Sequence, residues 1–144
     1  MSWSGDNANI IGDLAIHIYI VVLEGVFDIG LSSLMDVIGT AKELNPIDQQ
    51  SVQLDVHLVG VKSKVNTAQG LNVPIELASG LPVPDVVLIP ALGAKMPSPL
   101  SAALLREDVK EFCDWIKDWA SAGASVGAGS ASGCWECSGV LGVL

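Results

Sequence analysis

The stretch AIHIYIVVL, residues 15–23, decides the fold. It is β-branched and almost wholly apolar, the pattern of a central parallel strand covered on both faces. Glu24-Gly25 breaks the run, and from Asp28 the period changes. Leu31, Leu34, Met35, Ile38 and Ala41 recur at helical spacing and predict an amphipathic helix over residues 28–44. Asp28 is expected to cap or nearly cap that helix, and Asn45-Pro46 to end it. A buried strand followed by a crossover helix is the opening unit of an α/β sheet.

The rest of the chain continues this pattern. VQLDVHLV, residues 52–59, alternates apolar and polar residues and predicts a strand nearer a sheet edge. Residues 61–74 read as short β pieces around Gln69-Gly70, a hairpin or arm. Pro82-Val83-Pro84 leads into a second buried strand, DVVLIP, at 85–90. The loop ALGAKMPSP, residues 91–99, follows it, then a short helical segment over 100–105. The clearest helix spans 107–120, with Val109, Phe112, Cys113, Ile116 and Ala120 as its stripe and Trp115 and Trp119 beside it, widening the buried face. Glu107 and Asp108 open it and Gly123 closes it, as the helix dipole and left-handed C-cap favour. ASVGA, residues 124–128, gives a last short strand.

The chain has 144 residues, suited to one domain. We expect a polar leader over 1–14 and the domain over 15–144. Half of the residues are apolar and 16% are charged, which argues for a packed core and against disorder. The net charge of −9 argues against a segment that grips nucleic-acid phosphates itself. Cys113, Cys134 and Cys137 are an odd set with no disulfide framework, and the N-terminal residues lack the pattern of a signal peptide. Together these suit a cytoplasmic setting. The longest apolar run is interrupted by His17 and is too short to span a bilayer.

Four stretches together resemble a known group: VVLEGVFDIGLSSLMDVIGTAKEL, VNTAQGLNVP, PDVVLIPALGAKMPSPL and WASAGASVGA. They are similar to the ThiJ/PfpI-type, class I glutamine amidotransferase-like domain, and most of all to the N-terminal domain of AraC-type transcriptional regulators. The resemblance covers roughly residues 15–128. It implies a flavodoxin-like three-layer sandwich with a mainly parallel sheet, usually dimeric, with its C-terminal part missing from this chain. It also implies a strand–turn–helix elbow that holds a cysteine in the enzymes, with an acid after the first strand approaching it. In the regulators the domain senses and dimerises, and a helix-turn-helix region that follows binds DNA.

At the elbow this sequence has Ser130, or Gly129 in the alternative register, where the family has a thiol. Ser130 is therefore the one nucleophile candidate, with Glu24 and Asp28 as acids. A serine nucleophile needs a base and oxyanion donors, and both His17 and His57 lie mid-strand, away from the strand ends. Cys134 and Cys137 form a C-x-x-C at the far end of the chain. A redox pair there would lack a thioredoxin-like start, and a zinc site would need two more ligands, with only Cys113, His17 and His57 left. No cofactor and no metal site is expected. Ligand-binding candidates are Glu24, Gly25, Gly93, Ala94, Gly129 and Ser130, with Lys95 nearby, in the crevice beyond the strand ends. The expected role is a non-catalytic ligand-sensing and dimerisation domain. Its expected partners are an unidentified small-molecule effector and a second copy of the chain, with neither DNA nor membrane bound directly. The alternative is a ThiJ/PfpI-like hydrolase or hydratase that depends on serine or cysteine.

Overall fold

In the computed structural model, residues 15–44, 52–94 and 96–128 are described. The first strand, β1 (Ala15–Val21), lies in the middle of a five-stranded parallel sheet, as its apolar run predicts. The helix α1 (Asp28–Leu44) returns the chain to β2 (Gln53–Gly60) on one side of β1. β3 (Lys64–Asn66) and β4 (Asn72–Pro74) then pair antiparallel as a separate arm, and β5 (Glu76–Leu77) adds a two-residue edge beyond β2. The chain next crosses to the other side of β1 as β6 (Val86–Ile89). Helices α2 (Pro97–Leu104) and α3 (Glu107–Ser121) lead to β7 (Ser125–Ala128) at the opposite edge. The resulting order is β5-β2-β1-β6-β7.

Two apolar layers fill the two faces of this sheet. Ile18, Ile20 and Val22 alternate to one side and pack with Leu31 and Ile38 of α1 and with Val65 and Ile75. Tyr19 and Val21 point the other way and pack with Phe112, Ile116 and Trp119 of α3. Period-2 alternation in one continuous apolar strand therefore supplies both cores, which is why β1 needs no polar face.

Both long helices are buried along narrower stripes than their sequences suggest. In α3 the buried residues are Val109, Phe112, Ile116 and Trp119, with Cys113 and Ala120 only half-buried. Trp119 belongs to the core because its ring meets Tyr19 edge-on, with centroids 5.4 Å apart. In α1 only Leu31 and Ile38 are buried, while Met35 and Ala41 face outward. The helix covers a two-sided sheet on a single line of contact, so the flanks of its apolar stripe stay wet.

The end of α3 follows the expected chemistry. Gly123 adopts φ 104°, which a side chain disfavours. Its N–H donates to Ala120 O at 3.1 Å, and Ala124 N–H donates to Trp119 O at 3.0 Å. This pair of bonds is the Schellman closure of a helix.

Candidate functional site

The strand order reverses direction at β1 and β6. From β1 the chain crosses to β2 on one side, and β6 leads on to β7 on the other. The carboxyl ends of these two central strands are where a sheet of this topology leaves a crevice for ligands. Glu24 and Gly25 follow β1 there, and Gly93 and Ala94 follow β6.

Gly25 turns the chain with φ 79°. Its carbonyl accepts the Gly93 N–H at 2.8 Å, and Phe27 N–H donates to Ala91 O at 2.8 Å. Val26 and Leu92 form the antiparallel bridge between them. The arm closes over the same place: Gly25 N–H donates to Asn66 O at 2.8 Å and Ala68 N–H to Val26 O at 2.9 Å. A Cβ on Gly93 would fall inside the Ala68 methyl, so the glycine there serves close approach of the arm. The two expected walls of the crevice are thus joined to each other by main-chain bonds.

The acids after β1 are directed to the arm. The Glu24 carboxylate accepts the Asn66 N–H at 3.2 Å. Asp28, expected to cap α1, instead has both carboxylate oxygens on the arm: Thr67 Oγ1 donates to one at 2.5 Å and Gln69 N–H to the other at 3.1 Å. Thr67 is buried, and its hydroxyl oxygen in turn accepts the Leu71 N–H at 3.0 Å, which closes the hairpin tip. A threonine 39 residues away won the carboxylate because the arm folds back onto the start of α1. Asp28 still stands in the first turn, where a negative charge suits the helix dipole.

Arg106 was not singled out in the sequence. It precedes α3 and donates from Nη2 to Glu24 O at 2.9 Å, while its Nε and Nη2 grip Asp108 at 3.0 and 3.1 Å. It ties the start of α3 to the loop after β1. The R-x-D spacing at the head of a helix was its only trace in the sequence.

A second polar cluster lies on the sheet face that carries α3. The strands place His17 beside Asp55 and Tyr19 beside His57 in parallel register. Asp55 Oδ2 lies 3.2 Å from His17 Nδ1 and 3.1 Å from His57 Nε2, and His57 Nδ1 lies 3.0 Å from Glu76 Oε2. The hydrogen bond with His57 holds the Asp55 carboxyl below the usual carboxylate range. The same bond holds His57 above the ordinary imidazole value, against the opposing effect of its partial burial. Burial pushes the Tyr19 phenol up, aided by the charges of Glu76 and Asp55, and its hydroxyl donates to Pro82 O at 2.7 Å. The sequence showed both histidines mid-strand but gave no reason to join them. The two-residue step from Asp55 to His57 was the available signal, since it sets both on one face.

Ser130, Gly129, Lys95, Cys134 and Cys137 lie outside the described residues. Among the described residues no helix is long and apolar enough to cross a membrane.

No family model matches the sequence, and no curated protein matches it. Solved structures do. An AraC family transcriptional regulator from Pseudomonas putida aligns with a TM-score of 0.59 at 19% identity, over 78% of this chain and 63% of its own. Drosophila melanogaster DJ-1beta aligns at 0.54 and 16% identity, over 90% of this chain and 61% of its own. Oxidized Toxoplasma gondii DJ-1 aligns at 0.52 and 15% identity, over 78% and 54%. The chain thus spans less than two thirds of the length of each. What it shares with the regulator and the two DJ-1 proteins is their flavodoxin-like α/β fold, a mainly parallel sheet between flanking helices.

Proposed function

We propose that this chain is a ligand-sensing and dimerisation domain of the kind carried by AraC-type regulators, and that it works without catalysis. The observation that supports this reading is the engagement of Glu24 and Asp28. In an enzyme of this fold, an acid after β1 should face the nucleophile at the elbow and tune its proton. Here both carboxylates hold the arm through Asn66, Thr67 and Gln69. The similarity in fold to the Pseudomonas putida regulator points the same way. Effector occupancy would act by favouring one arrangement of the arm and the joined loops over another, since a ligand shifts an equilibrium only by its differential affinity. The negative charge of −9 leaves DNA binding to a partner region.

The test pairs a binding screen with a turnover screen. Small metabolites are screened by thermal shift on the full chain and confirmed by calorimetry, and sedimentation gives the oligomeric state. We expect a saturable ligand and a dimer, with no turnover of a carbonyl, amide or ester substrate. Turnover of a carbonyl, amide or ester substrate that disappears in Ser130→Ala or Cys134→Ser would replace this reading with the hydrolase or hydratase alternative. Tight, salt-sensitive binding to one DNA sequence by this chain alone would overturn the division of labour.

A further inference from the structure

The cluster on β1, β2 and β5 has the composition and spacing of a metal centre. His17 and His57 offer imidazole nitrogens and Asp55 a carboxylate oxygen, and the three ligand atoms all lie within 4.8 Å of one another. Around a tetrahedral cation with bonds of about 2.0–2.1 Å, ligand atoms stand roughly 3.3–3.4 Å apart. Asp55 Oδ2 already stands 3.2 Å from His17 Nδ1 and 3.1 Å from His57 Nε2, so only the two histidines need to close around an ion.

The surroundings supply what a histidine ligand requires. The far nitrogen of His57 is held by Glu76 at 3.0 Å, which leaves Nε2 for the shared centre. A carboxylate on the second ring nitrogen is the arrangement that orients metal-bound histidines and raises their basicity. The Tyr19 ring stands edge-on to the His57 ring at 5.7 Å and restricts its rotation. Parallel register on adjacent strands holds His17, Asp55 and His57 on one sheet face, a more rigid support than a loop. The side chains of His17 and Asp55 are 39% and 42% exposed, so an ion has access and a fourth position can take water.

We propose that His17, Asp55 and His57 bind one divalent transition cation, Zn2+ in the first instance, with Glu76 positioning His57. Two imidazoles and one carboxylate suit zinc and its first-row neighbours better than magnesium or calcium, which prefer all-oxygen shells. The site is separate from the crevice above the strand ends and does not depend on the sensing role.

The experiment uses the full chain after chelator treatment. Zn2+ is titrated by calorimetry, and Co2+ is followed by its visible absorption. We expect one ion per chain and a tetrahedral Co2+ spectrum without a thiolate charge-transfer band. His17→Gln and His57→Gln should each weaken binding at least about tenfold, and Glu76→Gln by about 10–100-fold. Replacing Cys113, Cys134 and Cys137 together by serine should change nothing. The chain has 2 histidines, so their imidazole resonances in the unmodified protein give an independent reading that no folding defect can disturb. Both should move with one equivalent of Zn2+. Absence of saturable binding, a thiolate spectrum, or histidine resonances that stay in place would overturn the proposal.

Discussion

The Thr67 hydroxyl donates to the Asp28 carboxylate at 2.5 Å, across 39 residues of chain. This bond, with the Gln69 N–H on the other oxygen, fixes the β3–β4 arm to the head of α1. Hydrogen bonds to a charged group are worth about 1.5–3 kcal/mol each, and leaving Leu71 N–H without Thr67 Oγ1 adds to the loss. Asp28→Ala and Thr67→Val should each destabilise the chain by about 2 kcal/mol in urea unfolding. The double variant should lose much less than the sum, because both substitutions remove one shared network. Additive losses would show that the arm is held elsewhere.

Gly93 and Ala68 make a complementary pair. Gly93→Ala places a methyl where the Ala68 methyl already stands. Overpacking of this kind costs about 1–3 kcal/mol. Adding Ala68→Gly should restore most of that stability, since the remaining neighbours of a Gly93 Cβ, Gly25 O at 3.3 Å and Ala68 Cα at 3.6 Å, can be accommodated. A double variant as unstable as Gly93→Ala alone would mean that the Gly25–Gly93 bond, rather than the methyl clash, sets the limit.

The His57–Asp55 pair makes stability depend on pH in the chelator-treated protein. His57 binds its proton more tightly when folded, so its contribution is complete below about pH 6.5 and fades as pH rises through the raised folded-state value. Asp55 holds its charge more firmly when folded. Its contribution is complete above about pH 3.9 and fades as pH falls through the lowered folded-state value. Together they stabilise most between about pH 4 and 6.5, with His17, Glu76 and the Tyr19 phenol as the facing groups. Urea midpoints across pH should show this slope in the unmodified chain and a flatter one above pH 6.5 in His57→Gln. The effect is modest, because Asp55 and Glu76 are open to water.

Phe112 carries the α3 side of the core. It is 2% exposed and stands edge-on to both Trp115 and Trp119. Phe112→Ala should cost about 3–5 kcal/mol and loosen α3 as a unit. Amide exchange should then accelerate across α3 while α1, on the other face, keeps its protection. Equal acceleration in both helices would show that the two cores unfold as one.

Much of the fold was legible in residues 15–44. A doubly apolar strand and a helix with a clear period can pack in few ways other than as the start of a parallel α/β sheet. Helix α1 begins at Asp28 as its period implies, and Gly123 closes α3 as expected. The two-residue β5 was not legible, since its pairing with Val59 and Gly60 comes from β2 and not from any pattern of its own. Nor was the partial exposure of Cys113 in the α3 stripe, which depends on where α3 sits over the sheet.

The sequence by itself determined the layered architecture, because local periodicity and apolar content fix which residues must be buried. It also set the net charge of −9. Only the tertiary structure decided which distant residues meet. Asp28 found Thr67, Gly93 found Ala68, and His17 found Asp55 and His57 through strand register and the return of the arm. Such partners lie tens of residues apart, and pairing between them is fixed by the positions of whole strands, which no local pattern records.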